Sequence, residues 1–300
     1  MSAIEIPLPP WPTEGVHPRR WMPAYAITVQ VITTLLLGVR IISRTLRLKT
    51  KTGLDDLFIV IAWPYCLQQL SLMTTLGTEK YGFDRDMWDV PYYVYSKGAF
   101  WSWMIEMMFL LTTGFTKLSV LLLYRRLVAG TCGKKFKWSL WAAMGFVVAC
   151  TVAFIPTLIF NCNPVQAHWL RFDIMYRGDY KCAPRELERD LTVVSAAFSV
   201  VTDFYSVILP ARLLSKLQVP RRQKVGLYVI FGLGLLVVGA GCARTYYLYR
   251  AFDPMSSNLT YWGFNAYIVA IAEANLGIIC ACAPSLRTVF SRFFKQTFSH

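Results

Sequence analysis

Three hundred residues, 55% of them hydrophobic and only 16% charged, with a mean hydropathy of +0.42, are too apolar for a soluble domain of this size; globular chains carry roughly a quarter charged residues. The formal net charge of +14 would serve nucleic acid only from a continuous solvated basic face. Here the lysines and arginines fall in short clusters between apolar runs, the placement of a membrane protein, so nucleic acid is set aside as a partner and a lipid bilayer is required.

Residues 1–23 are proline-rich and lack the basic start and the apolar run of about 7–15 residues that make a secretory signal. They are expected to form an extracellular or lumenal segment, with the first membrane helix serving as the targeting signal. Crossing the hydrocarbon core takes an apolar run of about 20 residues. Such runs predict helices at about 24–43, 55–76, 99–123, 138–160, 191–214, 225–248 and 262–284. The fold class is therefore an all-α, polytopic membrane protein with seven transmembrane helices over 24–290, followed by a short tail at 291–300. Pro64, Pro156 and Pro210 fall inside or near the ends of three helices; in a bilayer they predict kinks rather than breaks, because neighbours satisfy the freed carbonyls.

The connections give the orientation. Arg44, Arg47, Lys49 and Lys51 follow the first helix, and Arg125, Arg126, Lys134, Lys135 and Lys137 follow the third. Lys216, Arg221, Arg222 and Lys224 follow the fifth, and Arg287, Arg292 and Lys295 follow the seventh. On the other side, acids offset the bases in 79–97 and 171–190. The positive-inside rule puts the amino terminus outside or in a lumen and the carboxyl terminus in the cytosol. Asn258-Leu259-Thr260 is a glycosylation sequon in a loop that this topology places outside. Cys162 and Cys182 flank the largest outside loop, where a disulfide is permitted; the alternative is two free thiols near the membrane surface. The eight cysteines show no zinc spacing, and Cys280 and Cys282 point to two sides of a helix as packing residues. Gly232, Gly234, Gly239 and Gly241, with Ala270, Ala274, Gly277 and Ala281, predict close helix packing in helices six and seven.

Five ionisable residues lie well inside the predicted spans: Glu106, Lys117, Asp203, Arg244 and Glu273. Each costs at least about 2.5–3.5 kcal/mol at bilayer centre, so such groups face the bundle interior and take partners. At 1.5 Å per residue, Glu106 lies roughly 10 Å below the outer boundary and Arg244 roughly 6–7 Å, while Asp203 and Glu273 share a level near the midplane. Arg244 is expected to pair with Glu106, or alternatively to reach toward Glu273. Lys117 falls near the cytosolic edge, from where it can snorkel to the headgroups. The set reads either as an internal polar network that fixes helix register or as a ligand, ion or proton site, with Asp203 and Glu273 as the candidate catalytic acids. Asp55 and Asp56 open helix two, where acids suit the helix dipole and can cap it; a salt bridge to Arg40 or Arg44 is the natural addition.

The chain has no Walker loop, HExxH, GxSxG or dinucleotide glycine signature. His17, His168 and His300 all lie outside the predicted spans, which argues against an intramembrane metal site built on histidine. No lysine occurs between Lys224 and Lys295, so helix seven offers no retinal Schiff base. No cofactor and no metal are expected.

The ordered set of Arg40 and Arg44 before Asp55-Asp56, Lys117-Leu118-Ser119 before Tyr124-Arg125-Arg126, Cys162-Asn163-Pro164 with Trp169 and Cys182, Asp203 with Pro210, Lys224, Arg244, and Glu273 before Ala283-Pro284-Ser285-Leu286-Arg287 resembles the fungal rhodopsin-like domain family. That family comprises seven-helix integral membrane proteins of the satratoxin-cluster type, broadly related to PTH11-type receptors. The resemblance covers about residues 24–290. It implies a multi-pass protein of a plasma membrane or endomembrane that binds no retinal and has, for some members, a link to secondary-metabolite gene clusters. A receptor-like or accessory role is the expectation, with a lipophilic small molecule as ligand and a cytosolic protein partner at the basic loops. The alternative is a membrane-embedded cyclase or isomerase that uses Asp203 and Glu273 as acid and base, with Trp101, Trp103 and Tyr246 shaping its cavity. A transporter ranks lowest, since the two halves show no inverted repeat.

Overall fold

The computed structural model describes residues 21–44, 53–128, 134–173, 175–215, 221–253 and 258–297, without the side chains of 65–66, 127–128, 209–227, 229–230 and 284–297. Seven helices cross the length of the bundle: α1 (Met22–Ile42), α2 (Leu54–Tyr81), α3 (Tyr92–Val128), α4 (Lys134–Ile159), α5 (Arg185–Ser215), α6 (Arg221–Ala251) and α7 (Leu259–Thr297). All seven contain a stretch long and apolar enough to span a bilayer, and the protein is a multi-pass membrane protein.

Several helices outrun their apolar spans, for local reasons. α2 continues to Tyr81 and ends at Gly82, whose φ of 66° is the left-handed conformation that glycine adopts without cost; Phe83 N–H then returns to the Gly77 carbonyl at 3.3 Å. α3 begins at Tyr92 directly after Pro91, whose carbonyl accepts from Val94 N–H at 3.0 Å. Its first turns, Tyr92 to Lys97, are polar and aromatic and so escape a search for apolar runs, although Tyr suits the membrane interface. α5 starts right after Pro184, and α7 continues to Thr297, well past its apolar stretch. Pro64 sits in a π-helical stretch of α2, Ala62–Leu67, a wide turn that accommodates the missing N–H. Pro156 lies inside α4, in its last turn.

α3 is the central element, packed against α2, α4, α5 and α7, while α6 lies along α7 and between it and α5. Its inward residues Ile105, Phe109, Thr112, Thr116, Ser119 and Leu121 are buried. α4 is peripheral: Trp138, Trp141, Val148 and Val152 stay exposed, as expected of a face solvated by lipid. The small-residue seam forms in α7, where Ala270, Ala274 and Ala281 are buried and a side chain at Gly277 would meet Thr116 at 3.4 Å. In α6 only half of the expected glycines act this way. Added side chains would meet Val207 at 2.5 Å from Gly234 and Val200 at 3.1 Å from Gly241, but Gly232 and Gly239 face open space.

One end of the bundle gathers the start of α1, the α2–α3 and α6–α7 connections and the α4–α5 loop. There Tyr25 donates to the Ile268 carbonyl at 3.1 Å and Thr260 to the Arg85 carbonyl at 2.7 Å. The α4–α5 loop is a small antiparallel hairpin of β1 (Cys162–Asn163) and β2 (Lys181–Cys182), closed by a Cys162–Cys182 disulfide. Between the strands a single turn, Ala167–Leu170, sets Trp169 against Phe100 and Trp103 of α3.

Asn258 has a structural job at this end. It is 8% exposed, its Oδ1 accepts from the N–H groups of Met87 and Tyr261 at 3.3 Å, and its Nδ2 donates to Asp86. The sequon amide is thus used as the N-cap of α7, with its Nδ2 turned to Asp86.

Candidate functional site

Two polar clusters and a cavity lie in the bundle interior among the described residues. The first cluster joins α3, α5, α6 and α7. Lys117 Nζ forms an ion pair with Asp203 Oδ1 at 3.1 Å and donates to Ser199 Oγ and the Ser199 carbonyl at 2.9 Å and to Thr202 Oγ1 at 2.8 Å. Arg244 Nε pairs with Glu273 Oε2 at 3.0 Å, and its guanidinium lies over the Phe109 ring, 4.0 Å from the centroid. Ser199 Oγ, 3.4 Å from Glu273 Oε1, links the two pairs. Desolvating these groups is costly, and only pairing with well-placed hydrogen bonds offsets it.

Two expectations are corrected here. Lys117 does not snorkel: Asp203, Ser199 and Thr202 supply four oxygens inside the bundle, and its side chain is only 12% exposed. Arg244 takes the second option named for it, Glu273, and not Glu106. Asp203 and Glu273 each hold a cation rather than facing one another, although both approach the notch at Gly241, where an added Cβ would lie 3.8 Å from Asp203 Oδ2 and from Glu273 Cδ.

The second cluster lies at the opposite end from the disulfide, between α1, α2, α3 and α7. Arg44 Nη1 reaches Asp55 Oδ2 at 2.5 Å and Asp56 Oδ1 at 2.6 Å, and Arg40 Nη2 reaches Asp55 Oδ2 at 3.4 Å and Asp56 Oδ1 at 3.2 Å. Arg40 also donates to the Ala281 carbonyl of α7. Arg126 lies 3.6 Å from Asp55 Oδ1, and Ser119 donates to the Asp55 carbonyl at 2.6 Å. The expected cap is corrected: Gly53 is the N-cap residue of α2 and no side chain caps it, because both aspartates turn to the arginines of α1. Arg40 and Asp55 are buried, at 0% and 3% exposure. The cluster is therefore a clamp on four helices.

The cavity, about 380 Å³, opens between α3, α4, α5, α6 and α7 toward the disulfide end. That volume lies in the range of small-molecule sites. Trp103, Phe83, Phe154, Phe172, Leu191 and Leu248 give it an apolar wall, and Glu106, Ser102 and Tyr267 stand at its deep end. Ser102 and Tyr267 bond to each other, and Trp103 Nε1 donates to the Leu158 carbonyl at 3.1 Å. At the rim, Arg171 pairs with Glu188 at 3.0 Å. His168 is beside them, and its Nδ1 is buried with no hydrogen-bond partner among the described residues. Burial holds the His168 imidazole below its ordinary value; Glu188 works against this and Arg171 adds to it.

Of the aromatics expected to shape a cavity, Trp103 does so. Trp101 packs instead on Tyr81 and Phe100, and Tyr246 is 55% exposed. Asp203 and Glu273 do not line the cavity, whereas Glu106 does. Sequence reasoning missed Ser199 and Thr202, although Ser199 precedes Asp203 by four residues and Thr202 by three, which puts it on the side of α5 between them. It also missed the rim, where His168, Arg171 and Glu188 read only as balanced loop charge.

Seven membrane-spanning helices, a buried ion-pair network and a cavity open at one end define a rhodopsin-like integral membrane protein. The Fungal rhodopsin domain matches residues 39–292, and the chain belongs to that family. It is 27% identical over 282 residues to Fugralins biosynthesis cluster protein 2 of Gibberella zeae, covering 88% of this chain and 64% of that one. It is 28% identical over 182 residues to a SAT4 family membrane protein of Emericella nidulans, covering 60% and 43% of the two chains. Receptor GIN3 of Arthrobotrys oligospora is 25% identical over 203 residues, covering 65% and 44%. The matches thus span less than two thirds of each of these relatives. No solved structure matches the chain.

Proposed function

We propose that this fungal rhodopsin-like protein is a receptor-like or accessory membrane protein that binds a lipophilic small molecule in the cavity between α3 and α7, in connection with a secondary-metabolite pathway. The cavity carries the reading: it has drug-like volume and an aromatic wall, and it is reached from the disulfide end. Similarity to one protein named for a biosynthesis cluster and to another named a receptor supports it. The disulfide end faces outside or a lumen, and the basic segments around Arg125 and Arg126 face the cytosol, where they meet a protein partner. Asp203 and Glu273 lie off the cavity and hold cations, which weighs against acid–base chemistry on its occupant.

The test is a deletion strain complemented either with the natural chain or with Ser195→Phe, which fills the cavity wall on α5. The filled variant is expected to reach normal protein levels and to reproduce the metabolite profile of the deletion. A normal profile from Ser195→Phe would sink the cavity reading. Accumulation of one pathway intermediate in both strains would point to catalysis instead.

A further inference from the structure

Among the described residues, the interior cluster holds three carboxyl groups against two cations. α3, α5, α6 and α7 bring in Glu106, Asp203 and Glu273 against Lys117 and Arg244. The two cations sit on Asp203 and Glu273 at 3.1 and 3.0 Å. Glu106 has no ion pair or hydrogen bond among the described residues, and it lies on the cavity wall. The hydroxyls nearest in the wall, Ser102 and Tyr267, are bonded to each other. A carboxylate facing an apolar space at this depth is costly without a counter-charge. Arg244 is near enough to act on it but is already committed to Glu273, and the cavity is the open side that the described residues leave to Glu106.

Resting on the reading that the cavity binds a lipophilic molecule, we propose that its occupant carries a protonated amine that seats on Glu106. The apolar body then trails along Trp103 and Phe172 toward the rim. Tyr95, whose hydroxyl bonds the Met87 carbonyl near the rim, precedes Glu106 on α3 by eleven residues. At 1.5 Å per residue this sets the amine roughly 16 Å from the mouth. An alcohol would donate a hydrogen bond to Glu106 but leave the charge count uneven, and a carboxylate would add to the excess.

The proposal is tested with the full chain in lipid nanodiscs and three probes that share one apolar body: naphthylethylamine, naphthylethanol and naphthylacetate. Dissociation constants are read by saturation-transfer NMR. The amine is expected to bind tighter than the alcohol by on the order of tenfold or more, the usual scale for a hydrogen bond to a charged group, with the acid weakest. Glu106→Gln is expected to remove the preference for the amine while the alcohol still binds. Equal binding of amine and alcohol to the natural chain overturns the proposal and leaves the cavity reading standing; this comparison needs no variant to fold. An amine preference that survives Glu106→Gln also overturns it. Binding of none of the three overturns the cavity reading as well.

Discussion

Single residues in this protein derive their worth from what surrounds them in a medium with no water to spare. Lys117 shows this most plainly. Removing one partner of a buried ion pair strands the other charge and costs about 3–5 kcal/mol, whereas replacing both with apolar groups of similar size is often neutral. Lys117→Met is therefore expected to destabilise the bundle by about 3 kcal/mol or more, and Lys117→Met with Asp203→Leu by much less. Denaturation of the purified variants checks this, and a double variant as weak as the single would show that the stranded Asp203 charge is not the source of the loss. His168 gives the pH dependence. Its imidazole is held neutral by burial in the folded chain, while the unfolded chain takes up a proton near pH 6.5. The unfolded state then binds more protons, so the stability present above about pH 6.5 is lost as the pH falls below it. The thermal midpoint is expected to drop between pH 7.5 and 5.5, and His168→Gln is expected to flatten that drop.

At the scale of elements, the helices were legible because bilayer thickness imposes a length on every apolar run, but their ends and faces were not. Tyr92 to Lys97 and the last turns of α7 project beyond the apolar slab, where hydropathy carries no signal and proline, glycine and capping residues decide. Which glycines of α6 meet a neighbour was equally hidden, since rotation about the helix axis is set by packing across α5 and α7. Paired substitutions expose the difference. Gly234→Ala forces a methyl group against Val207 and is expected to cost about 1–3 kcal/mol. Gly232→Ala, in open space, is expected to stabilise by about 0.4–1 kcal/mol through the loss of unfolded-state freedom. Thermal unfolding of the two variants checks the sign; a shift of the same sign in both would mean that α6 is turned differently on its axis. The polar network was half legible on the same grounds. Five buried charges announced that partners must exist, yet the choice of Glu273 over Glu106 for Arg244 depends on helix rotation that no spacing encodes.

The whole molecule is held from two ends by different means. At one end the arginines of α1 clamp α2, with Arg40 also bonded to α7. At the other, aromatic rings, the Asn258 cap and the Cys162–Cys182 bond tie the loops to α3. The bond closes a ring of residue separation 20 near the middle of the chain, between α4 and α5, and Arg177 is exposed within that ring. A single backbone cut there would turn the protein into two polypeptides that remain one covalent object. Brief trypsin treatment of intact cells is accordingly expected to leave one full-size band without reductant and two shorter bands with it. Separation without reductant would mean the thiols are unlinked, and cutting only after lysis would place the loop in a lumen or, if sealed endomembrane vesicles are cut without detergent, turn the topology over. The same property makes the four-helix and three-helix portions natural halves for co-expression, able to find each other through α3 and α7 and then be sealed by oxidation.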